Sequence, residues 1–90
     1  MDDTELRLDG NAAAGLLEEV FAPEVTTAIL GCAGCGMTGP VGAAHVYDRA
    51  PGVVLRCPSC SRVLMRFART RDELIADLRG VATLRWRVEA

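Results

Sequence analysis

The chain contains no lysine. All ten of its cationic side chains are arginine, and its 90 residues include one histidine and only four aromatics, Phe21, Tyr47, Phe67 and Trp86. There is no run approaching the ~18 apolar residues of a membrane span, no apolar h-region behind the acidic opening Met1-Asp2-Asp3-Thr4-Glu5, no internal repeat and no low-complexity tract. Without a span or a signal segment, a soluble cytoplasmic protein with no membrane partner is expected. With a single histidine and no Ser-His-Asp, Cys-His, paired-carboxylate or phosphate-cradling glycine pattern, no enzyme is expected. Four aromatics are few for stacking bases, and a pI of about 5.3 is low for a nucleic-acid-binding domain. The missing lysine cuts both ways, because arginine suits bidentate phosphate contacts but a biased composition gives the same pattern.

What is present is unevenly placed. Residues 1–44 hold seven acids and Arg7 alone, a balance of −6, whereas residues 45–90 hold nine arginines and five acids, a balance of +4. Such asymmetry marks either a basic nucleic-acid face beside an acidic segment or two solvated faces of one small domain; the second is the simpler reading. Residues 1–90 make one domain, near the size at which a hydrophobic core alone gives only a few kcal/mol. A covalent or metal staple is therefore expected.

The cysteines supply it. Cys32-Ala33-Gly34-Cys35 and Cys57-Pro58-Ser59-Cys60 are separated by 21 residues and account for all four cysteines. Each pair can put two thiolates on one tight turn, and two such turns facing each other give the four soft ligands of a closed tetrahedral site. In a reducing compartment paired cysteines are more often ligands than disulfides. We read Cys32, Cys35, Cys57 and Cys60 as ligands of one structural Zn2+. Gly36, directly after Cys35, can take the positive φ that closes such a turn, and Ser61 stands at the matching place of the second. Two rivals are weaker. Cys57-Pro58-Ser59-Cys60 has the form of a redox dithiol, but a β-rich run follows it where a helix is needed. A catalytic zinc would need an open position, which four thiolates close; His45 is better read as a partly exposed strand residue than as a ligand or base.

Asp9-Gly10-Asn11 offers helix caps, and Ala13, Leu16, Leu17, Val20 and Phe21 follow at helical spacing up to Pro23, so a short amphipathic helix is expected over 9–22, preceded by a flexible N-terminus over 1–8. Val25–Leu30 is β-branched and leads into the first cysteine turn. Ala43–Tyr47 and Val53–Arg56 read as strands, as does Val63–Arg69, with alternation beyond the second turn. Strand, knuckle, strand, knuckle, strand over 25–69 is the zinc-ribbon order. The fold class expected is a small β-rich zinc-ribbon domain, an antiparallel sheet with two zinc knuckles and a short N-terminal helix. Val81–Val88 alternates as a strand. Residues 72–78 fit both periods: Thr70-Arg71-Asp72-Glu73 matches a capping box, yet Leu74, Ala76 and Leu78 also alternate.

Leu8-Asp9-Gly10-Asn11-Ala12, Cys32-Ala33-Gly34-Cys35-Gly36 with Thr38-Gly39-Pro40, Ala50-Pro51-Gly52, Arg56-Cys57-Pro58-Ser59-Cys60 and Asp77-Leu78-Arg79-Gly80 together resemble a family of short uncharacterised bacterial zinc-ribbon proteins, over about residues 8–88. The resemblance implies the same four ligands and a strand before Asp77, which turns 72–88 into a C-terminal β-hairpin. It implies no activity. Two functions stay open: a protein-binding adaptor or regulatory module, using a sheet edge, the acidic segment or an apolar patch with Trp86, and a nucleic-acid-binding ribbon. For the latter the candidate phosphate contacts are Arg56, Arg62, Arg66, Arg69, Arg85 and Arg87, with Tyr47 or Trp86 for stacking.

Overall fold

A computed structural model describes residues 7–21, 24–49 and 52–87. The expected flexible segment up to residue 6, the helix stop at Pro23, the turn at Ala50-Pro51 and the strand end at Val88 lie outside the described residues. The chain forms a small β-rich domain of two antiparallel sheets and one short helix. Strands β1 (Arg7–Asp9), β4 (His45–Arg49), β5 (Gly52–Arg56), β6 (Val63–Arg69) and β7 (Leu74–Asp77) make a five-stranded sheet in the order β1-β4-β5-β6-β7. Strands β3 (Thr38–Pro40), β2 (Ile29–Cys32) and β8 (Val81–Arg85) make a three-stranded sheet in that order.

Period-two alternation explains what the larger sheet buries. Val46, Leu55 and Met65 stand opposite one another across β4, β5 and β6, and with Phe67 they are at most 1% exposed. The next row, Tyr47, Val54, Arg66 and Asp77, turns to the other face, which is half-buried or exposed. Helix α1 (Ala14–Val20) closes the inner face. Its Leu17 is fully buried, Phe21 just beyond it meets Phe67 edge-on at 6.5 Å between ring centroids, and Glu18 and Glu19 are exposed. One continuous core runs from the helix through Val25, Leu30 and Val41 to Leu64.

Several expectations need correction. Arg7 and Leu8, expected in the flexible terminus, and Asp9, expected to open the helix, instead form edge strand β1, paired with His45–Tyr47. Asp9 does cap, accepting from the Asn11 N–H at 3.0 Å, but the turn it starts, Gly10–Ala13, is 3-10, and the α-helix begins only at Ala14. Val25–Thr27 is a 3-10 turn as well, because Glu24 takes a left-handed φ of 64° and its carbonyl collects both the N–H and the hydroxyl of Thr27. The strand to the first knuckle therefore starts at Ile29. The single expected sheet is two. Finally, β7 and β8 are both strands but not a hairpin: β7 pairs with β6, β8 crosses to pair with β2, and the turn between them passes from one sheet to the other. Among the described residues no helix is long and apolar enough to cross a membrane.

Candidate metal centre

Both cysteine turns are built on one backbone plan. In the first, the Gly34 N–H points at Cys32 Sγ (3.3 Å), the Gly36 N–H bonds the Cys32 carbonyl (3.0 Å), and the Cys32 N–H bonds the Met37 carbonyl (2.9 Å). In the second, Ser59 N–H to Cys57 Sγ (3.4 Å), Ser61 N–H to the Cys57 carbonyl (2.8 Å) and Cys57 N–H to the Arg62 carbonyl (2.8 Å) repeat it bond for bond. The closing residue needs a left-handed backbone, which Gly36 takes at φ 78° and Ser61 at φ 65°. Glycine does so freely and serine at a cost. Each strand that feeds a knuckle also shifts register just before it, between Gly31 and Cys32 and between Leu55 and Arg56, where bulges re-aim the chain.

The result brings all four sulfurs together. Cys32 Sγ lies 3.8 Å from Cys60 Sγ and Cys35 Sγ 3.7 Å from Cys57 Sγ, with the four ligand atoms all within 4.8 Å of one another. A tetrahedron with metal–sulfur bonds of about 2.3 Å has edges of about 3.8 Å, so the donor set fits a four-coordinate metal. The first cysteine of each turn is buried and the second exposed. His45 opens β4 as a half-buried residue and is not a member of the cluster.

Electrostatics point the same way. The Cys35 backbone N–H, with that of Gly34, draws the Cys32 thiol down to about 7 against the effect of burial. Cys60 is pulled down by the Arg62 backbone N–H, yet desolvation and the neighbouring sulfurs of Cys35, Cys57 and Cys32 outweigh that and push it up to about 11. The thiolate of Cys32 is favoured here and that of Cys60 is not, unless a cation stands beside it. The four cysteines could hold a metal ion.

The turn between β7 and β8 locks the two halves of the site. The Ala33 N–H, next to Cys32, donates to the Gly80 carbonyl (2.9 Å), while the Gly80 N–H donates to the Leu64 carbonyl on the strand leaving the second knuckle (3.2 Å). Asp77 aims at the same turn, accepting from the Arg79 backbone and guanidinium, which holds its carboxyl down at about 2. A family model matches residues 2–89. The chain belongs to DUF6510, a family of unknown function. Comparison with curated proteins and with solved structures returns no match.

The six arginines that the sequence offered as nucleic-acid contacts are dispersed over this DUF6510 domain. Arg56 and Arg66 share the outer face of the five-stranded sheet, where Arg56 sits over the Tyr47 ring at 5.8 Å and donates to the Ser61 carbonyl. Arg69 is on the inner face and grips Glu19 of the helix at 2.9 Å. Arg62 lies across Gly34 of the opposite knuckle. Arg85 and Arg87 stand at the margin of the other sheet. Sequence reasoning missed the bridging role of Gly80; its only sequence signal was a turn-forming glycine at the end of Asp77-Leu78-Arg79-Gly80.

Proposed function

We propose that Cys32, Cys35, Cys57 and Cys60 hold one Zn2+ as a closed structural site, and that the domain is a zinc ribbon acting as a non-catalytic protein-binding module. The observation that carries the metal assignment is the sulfur cluster, four Sγ atoms within 4.8 Å of one another with two pairs at 3.7 and 3.8 Å. Four thiolates suit zinc and leave no coordination position for a substrate, so the ion would supply folding free energy rather than catalysis. The backbone N–H groups of Gly34 and Ser59 would steady the buried thiolates, as outer partners do in such sites. For the role, support comes from an apolar hollow of about 250 Å³ beside the knuckles, walled by Leu30, Met37, Pro40, Pro58 and Leu64.

Metal analysis of protein purified without added metal should return one zinc per chain, and a chelator should abolish the β-sheet circular dichroism. A folded metal-free protein with freely oxidised thiols would refute the assignment. The second reading, nucleic-acid binding, draws on Arg56, Arg66 and Tyr47 lying on one sheet face. It requires affinity for generic single- or double-stranded nucleic acid that falls steeply with salt, and absence of binding at low salt would end it.

A further inference from the structure

The margin of the three-stranded sheet carries a second candidate site, far in character from the cysteines. A groove of about 490 Å³ runs beside the end of β8, walled by Glu24, Thr27, Ile29, Arg85, Trp86 and Arg87. Arg85 and Arg87 are exposed, and among the described residues neither side chain has an ion pair or hydrogen bond. Glu24, the one acid on the groove wall, pairs with neither. Trp86 between them is 39% exposed. From Val81 to Arg87 the chain has no acid, so the charges that this strand itself contributes are of one sign.

The backbone along this edge is also unsatisfied. Val41 N–H bonds the Ala28 carbonyl and Cys32 N–H bonds the Met37 carbonyl, so on β2 the alternate residue Leu30 faces β3, while Ile29 and Gly31 face β8. Their partners Arg85 and Thr83 are spent on β2. Leu84 between them turns its N–H and C=O to the outside of the sheet, where no strand pairs with β8 among the described residues.

We infer that this edge takes up an extended acidic peptide segment of a partner protein, which adds as a strand beside Val81–Arg85 and sets its carboxylates against Arg85 and Arg87, with Trp86 covering it. The inference rests on the protein-binding reading above and gives that partner its chemistry. A peptide backbone matches both the donor and the acceptor of Leu84, as strand addition requires. Nucleic acid has no amide backbone with which to continue a strand ladder.

Trp86 is the only tryptophan, so its fluorescence reports on this groove directly. The zinc-loaded full chain is titrated with a short peptide of alternating glutamate and threonine, with the same peptide carrying glutamine for glutamate, and with single-stranded oligothymidylate. The glutamate peptide should give a saturable change, weakened roughly tenfold by the glutamine exchange or by Arg85→Ala with Arg87→Ala, as expected for losing two exposed ion pairs. Arg85→Glu with Arg87→Glu, checked for fold by circular dichroism, should transfer the preference to a lysine–threonine peptide. No saturable response to the glutamate peptide, equal binding of the glutamine peptide, or tighter binding of oligothymidylate each overturns the inference. Immobilised chain separates the two readings: a partner retained equally by wild type and the double alanine variant removes this site but keeps the adaptor, whereas nothing retained by wild type removes both.

Discussion

Replacing Gly80 with alanine tests whether the turn between the sheets is the clasp of the metal centre. A Cβ at this position would run into the Val63 carbonyl oxygen and stand 2.6 Å from Leu64 Cα and 2.8 Å from the Val63 carbonyl carbon. These are backbone atoms of a strand at the core, so they cannot swing aside as a flexible side chain would. The turn must retreat, and with it go the Ala33–Gly80 and Gly80–Leu64 hydrogen bonds. Each is worth about 1 kcal/mol net, and an N–H left unpaired costs about 1–3 kcal/mol more, so a loss of about 3–5 kcal/mol is expected. Against a total of about 5–15 kcal/mol that is a large fraction. Urea denaturation of the metal-loaded protein should show a midpoint lowered by at least about 1 M. Transfer of metal to a chromogenic chelator should also quicken, because Ala33 adjoins the ligand Cys32. Gly36→Ala should destabilise for the opposite reason: its surroundings are open, but φ is 78°, costing about 1–2 kcal/mol. Gly15→Ala, with nothing within 4 Å on the helix surface, should instead stabilise by about 0.5–1 kcal/mol. A Gly80→Ala protein with unchanged midpoint and unchanged metal transfer would refute the clasp.

Ser61→Gly should stabilise by about 0.5–1 kcal/mol, since it removes the left-handed strain but adds chain entropy, and a thermal melt should rise by a few degrees. Leu17→Ala should cost about 2–5 kcal/mol in denaturant titration, because it empties a fully buried site, while Arg69→Ala should cost less than about 1 kcal/mol, because its ion pair with Glu19 is half exposed. Acidification should release the metal and unfold the domain together: the ligands bind as thiolates while the unfolded chain holds those protons, so stability rises with pH. Parallel readings of metal release and circular dichroism against pH check this, and metal loss without unfolding would refute a structural role.

The knuckles were legible because their chemistry is local. Four cysteines at this spacing, a glycine after one pair and a small polar residue after the other specify two turns without reference to the rest of the chain, and positive φ at Gly36 and Ser61 followed. The helix was legible from Leu16, Leu17 and Val20, although Asp9 caps a 3-10 turn first. The partition of the strands was not legible. A turn at Gly80 looks the same whether the chain doubles back on β7 or leaves for another sheet, and the choice is made by Ala33 and Leu64, which are remote in sequence. Val25–Thr27 carries strand-forming residues, but backbone and hydroxyl bonds to the Glu24 carbonyl override that preference. Arg69 is one more basic residue in the sequence, and only the docking of Glu19 across the fold identifies it as half of an ion pair.

The pairing of β2 with β8 has a consequence for the order of events during synthesis. Ile29–Cys32 emerges early and the second knuckle follows, yet the strand that flanks Cys32 and the Gly80 carbonyl that fixes Ala33 come only near the end of the described chain. Local contacts form first and distant ones must wait for loop closure. The nascent chain therefore exposes four thiols before the first knuckle has its support, and a metal held among them would be secured only once the late strand has emerged from the ribosome.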